Sequence, residues 1–154
     1  MATALLILHG LVAVALLGAV THQTLATWAP LTAKPRSFFA RFRAMPGAGF
    51  TNAIVVLYLI STLLGAVVYL YFKIDLQPNL ERDRHWHALG FFDLKEDFVA
   101  IGLGVLPAYW FCWRQPVNGE SDQMRAALTL LLAIIVWWGF LVGHVANNIG
   151  GFGS

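Results

Sequence analysis

Residues 53–72 read AIVVLYLISTLLGAVVYLYF, twenty positions without one charge. At about 1.5 Å per residue, a helix of that length matches the roughly 30 Å hydrocarbon core of a bilayer. Three more uncharged stretches flank it, Ala2 to Val20, Phe98 to Trp113 and Ala126 to Ala146. The whole chain is 58% hydrophobic and only 12% charged, against about 25% charged residues in an ordinary soluble domain. Its mean hydropathy is +0.67. These features predict an all-α integral membrane protein of four transmembrane helices, near 3–27, 51–73, 94–114 and 124–146. They form a single up-down bundle over residues 1–154, with no room for a separate soluble module.

The first stretch is expected to stay as a helix rather than be cleaved as a secretory signal, because no Lys or Arg precedes Lys34. Orientation follows from the loops. The first connection carries Lys34, Arg36, Arg41 and Arg43 without an acid, and the third adds Arg114 and Arg125. The second, Lys73 to Asp97, holds four basic residues among six acids. Retained Lys and Arg mark the cytoplasmic face, so both termini are expected outside, in a membrane of the bacterial inner type. Between Pro35 and Pro46, the run from Ser37 to Met45 alternates aromatic and basic residues and predicts a short interfacial helix, with Phe38, Phe39 and Phe42 dipping towards the acyl chains. Its basic charge suits anionic lipid rather than nucleic acid.

The third helix is short in uncharged length and holds Pro107, which removes a backbone donor and favours a kink. A start near Leu94 places Lys95, Glu96 and Asp97 at or just inside the outer interface. There the acids meet the positive end of the helix dipole and the lysine can snorkel. Buried deeper, the same charges would point to an intramembrane function. Gly139 with Gly143, and Ser61 with Gly65, have the small-xxx-small spacing that lets helices touch in lipid. From Asn147 on, the glycine-rich tail is expected to be irregular. Cys112 is the only cysteine, which excludes an internal disulfide and every cysteine-pair metal motif.

Five histidines remain to be placed. In a four-crossing topology His9, on the first helix, and His144, near the end of the fourth, come to one depth on the outer side. Two imidazoles from different helices at one depth can ligate a haem iron axially. Gly10, Ala13 and Gly143 leave room for a flat macrocycle, and Trp137 and Phe140 stand within two turns of His144. The competing reading is that each ring hydrogen-bonds a carbonyl or a neighbouring side chain. His22 lies 13 residues from His9, about 220° round the helix, and fits an interfacial polar end rather than a second haem. His85 and His87 flank Trp86 and would suit two metal ligands on an extended segment, near Glu81, Asp83 and Asp93. The same residues equally make a solvated charged run with an aromatic anchor. Quinol oxidation also needs a proton acceptor near a cofactor edge, which these groups supply.

No nucleophile elbow, HExxH or phosphate loop occurs, so an electron-transfer or accessory subunit is expected rather than an enzyme. In layout the chain resembles the small membrane-anchor cytochromes of respiratory complexes. The leading expectation is a small subunit of a respiratory or photosynthetic redox complex. It binds one b-type haem through His9 and His144 near the extracytoplasmic side and relays electrons between quinol and a partner. The alternatives are a cofactor-free accessory subunit that stabilises a larger complex, and an extracytoplasmic metal-handling protein centred on His85 and His87.

Overall fold

A computed structural model describes residues 2–30, 37–116 and 119–150. Lys34, Pro35 and Arg36 of the first connection, and the last four residues of the tail, lie outside them. Among the described residues there is no strand, and four long helices dominate: α1 (Ala2–Trp28), α3 (Thr51–Tyr71), α5 (Trp86–Arg114) and α6 (Gly119–Gly150). Shorter pieces join them: α2 (Phe38–Arg43), a 3₁₀ turn (Gly47–Phe50), a π turn (Phe72–Leu76) and α4 (Gln77–Arg82). Three spans, Thr3–Trp28, Gly47–Arg82 and Ser121–Ala146, are long and apolar enough to cross a membrane. This marks an integral membrane protein whose surroundings are a lipid bilayer, and its exposed large side chains, such as Ile7, Leu11, Leu63 and Ile134, suit that solvent.

α1 packs on α3 and α6, and α5 on α6 and more lightly on α3. Two apolar clusters hold the bundle. The larger gathers Leu16 and Val20, Ile54 and Tyr58, Leu106 and Tyr109, and Leu132, Ala133, Ile135 and Val136 from all four long helices. The smaller, at the other end, joins Phe72, Leu76, Leu80, Phe92 and Ala146. Phe72 stacks on Phe92 with ring centroids 3.7 Å apart.

The short α2 forms within the run expected for it. Ser37 caps it, its Oγ accepting from the Ala40 N–H at 3.1 Å. The second connection differs from the expectation of a loop. Phe72, Leu76 and Leu80 repeat every four residues and are all buried, so the chain stays helical through the π turn and α4 despite its charges. A Schellman turn then reverses it, with the His85 N–H on the Leu80 carbonyl at 2.8 Å and Arg84 at φ 59° where glycine is usual. α5 consequently begins at Trp86, eight residues before the expected start, because Phe92 must reach Phe72. α6 runs on to Gly150, past the point where an irregular tail was expected.

A cavity between the histidine helices

Between the two apolar clusters, α1, α3, α5 and α6 border an open-sided cavity of about 350 Å³, inside the range of about 300–1,000 Å³ typical of ligand sites. Both His9 and His144 line it. Their relative level follows from two ties between α1 and α6. Trp28 Nε1 donates to the Ala126 carbonyl at 3.1 Å and Trp137 Nε1 to Thr21 Oγ1 at 3.0 Å. From Trp28 to His9 is 19 residues and from Ala126 to His144 is 18. From the second tie the paths are 12 and 7. With about 1.5 Å per residue the backbone positions of the two histidines therefore stand roughly 2 to 8 Å apart in depth.

The small residues expected to bring helices together instead border this space. Gly10 and Gly143 have nothing within 4 Å of where a Cβ would sit, and Gly139 meets only Lys95 Cγ at 4.0 Å. Gly65 receives the His9 ring: a Cβ there would lie 3.3 Å from Cε1. His9 is half-buried; the Ser61 carbonyl of α3 acts on its ring, while its Nδ1 is shielded from solvent without a hydrogen-bond partner. Leaving such an atom unsatisfied costs on the order of 1–3 kcal/mol, so the ring is suited to a group entering from the cavity. His144 is exposed and lies parallel to Phe140, with centroids 6.3 Å apart. Phe140 thus lines the cavity as expected, whereas Trp137 turns away to Thr21.

The polar wall comes from α5. Lys95 Nζ lies 2.6 Å from Glu96 Oε1 and 4.1 Å from the Phe92 ring centroid. Both charged residues line the cavity, and theirs are the charges acting on His9. The expectation of an ordinary helix start fails here, since nine residues, about 14 Å of helix, separate Lys95 from Trp86. Pairing with Glu96 gives the ammonium a counter-ion within the protein.

The remaining histidines are elsewhere. His22 is buried, its Nε2 2.9 Å from the Phe42 carbonyl and its ring between Phe42 and Phe50, so it fastens α2 to α1. His85 takes the N-cap position of α5 without a side-chain hydrogen bond and His87 lies in the first turn, not on an extended segment, and both are exposed. Two positions apart on a helix point about 200° from each other. Among the described residues no group of three or more His, Cys, Asp and Glu comes close enough to hold a metal ion.

Sequence reasoning missed a buried polar cluster at the far end. Gln23, fully buried, donates to the Gly47 carbonyl at 3.0 Å and to Thr51 Oγ1 at 3.2 Å, and accepts from the Tyr109 hydroxyl. Nearby, Arg125 donates to the Cys112 and Gln115 carbonyls and pairs with Asp122. Each of these groups is satisfied within the protein, which makes the cluster a structural joint of the four long helices and leaves the cavity as the candidate site. Comparison with protein families, curated proteins and solved structures finds no match for the chain.

Proposed function

We propose that the chain is a small membrane subunit of a redox complex that holds one b-type haem in the cavity, between His9 and His144, and relays electrons between quinol and a partner. The observation that carries this reading is that the two imidazoles, on separate helices, line one cavity. The donor set fits the group: the shielded Nδ1 of His9 lacks a partner, and Gly10, Gly139 and Gly143 border open space. When bound, haem supplies reversible one-electron chemistry at its iron. The protein's part is ligation, orientation and exclusion of water. Gly65 seats the His9 ring against α3, Phe140 keeps the His144 ring parallel to itself, and Leu16, Ile135 and Val136 give the site an apolar floor.

In this reading α5 is the fourth crossing, with Lys95 and Glu96 turned into the bundle and paired rather than facing lipid. An even number of crossings then puts both termini on one side, and Arg41, Arg43, Arg114 and Arg125 assign the opposite side to the cytoplasm of a bacterial-type inner membrane. The broad apolar exterior accommodates further subunits as well as lipid. The test is a reduced-minus-oxidised difference spectrum of the purified protein. A haem b band supports the proposal. Its absence from freshly isolated membranes as well leaves the cofactor-free accessory subunit as the reading.

A further inference from the structure

We propose that Lys95 anchors a carboxylate of the cavity's occupant, so that the site selects a flat apolar ligand bearing an acid group, as a haem does through its propionates. The inference deepens the proposed function and rests on it for the class of ligand. Its basis is the placement of one ammonium. The Lys95 side chain is 15% exposed and that of Glu96 34%, so the cation lies deeper than its counter-ion. The Lys95 stem passes α6 at Gly139, five residues before His144, and Lys95 lines the same cavity as His9 of α1. It therefore stands between the two histidine-bearing helices.

An ammonium has three N–H donors. Among the described residues Glu96 takes one and the Phe92 ring covers another side, which leaves donor capacity on the cavity side that no protein acceptor uses. The rest of the lining is largely apolar, including Leu16, Ile135, Val136 and Phe140. In such surroundings a charge-assisted hydrogen bond to a carboxylate is short and strong. Glu96 opposes a second anion through like-charge repulsion, so it tempers the site, and Lys95 is the residue that confers selectivity.

The experiment measures quenching of tryptophan fluorescence by protoporphyrin IX and by its dimethyl ester, with the full chain in detergent micelles and empty micelles as the blank. Neither probe contains iron, so histidine ligation does not contribute. The wild type is expected to bind the free acid about tenfold more tightly than the ester. Lys95→Met should erase that preference, Lys95→Arg should keep it and show that the fold survives, and Glu96→Gln should enlarge it. A preference that persists in Lys95→Met, or a wild type that binds both probes equally or neither, overturns the inference. Failure of the haem reading is separate: an acid-selective protein that gives no haem b spectrum with haemin retains the Lys95 anchor and loses the proposed function.

Discussion

Gly102 is where α5 lets α3 approach, and the Gly102→Ala substitution probes that joint. The Tyr58 ring lies over Gly102, its hydroxyl donating to the Val99 carbonyl at 3.0 Å. A Cβ on residue 102 would overlap the hydroxyl and come 2.7 Å from Cζ, so the ring must move. Overpacking of this kind costs about 1–3 kcal/mol, and the lost buried hydrogen bond adds about 1. Replacing glycine within a helix returns about 1 kcal/mol. The net is a destabilisation of about 1–3 kcal/mol, or roughly 2–12 °C in Tm for a chain of this size. Thermal unfolding in micelles, followed by tryptophan fluorescence, reads it. In a Tyr58→Ala background the obstruction is gone, and Gly102→Ala should then be neutral or stabilising by up to about 1 kcal/mol. An equal loss in both backgrounds refutes the packing argument.

Gln23→Leu should cost about 2–4 kcal/mol, because it strands the Tyr109 hydroxyl and the Gly47 carbonyl among apolar neighbours; the same melt measures it. Arg125→Met frees the Cys112 and Gln115 carbonyls and should raise amide exchange around the α5–α6 turn, with about 3 kcal/mol lost overall. His22→Ala should speed exchange across Phe38–Arg43 while lowering global stability by only about 1 kcal/mol, since it detaches α2 from α1. Arg84→Gly should stabilise by up to about 1 kcal/mol by relieving the left-handed backbone at φ 59°.

The helices were legible wherever charge was absent. Residues 53–72 and 126–146 hold no Lys, Arg, Asp or Glu, and α3 and α6 follow from them. The second connection was not legible, because Glu81, Arg82, Asp83 and Arg84 mask a buried stripe of Phe72, Leu76 and Leu80 whose spacing of four is sustained by a π turn. The start of α5 was misjudged for the same reason: its position depends on Phe92 finding Phe72 across the turn. That His9 and His144 line one cavity follows the levels expected for them in the first and last helices. Gln23 was not, since its partners Thr51 and Tyr109 come from distant segments that no spacing rule connects. The small residues Gly65, Gly139 and Gly143 signalled close approach, and the structure gives them to a side chain and to open space instead of a neighbouring backbone.

The central claim, that His9 and His144 jointly hold one ligand, is tested most directly by the haem-to-protein ratio of purified wild type, His9→Ala, His144→Ala and, as a control, His85→Ala. The account predicts about one haem per chain in the wild type and His85→Ala, and a collapse in each of the other two variants although they remain folded. Haem retained in both His9→Ala and His144→Ala, or missing from the wild type, would contradict it.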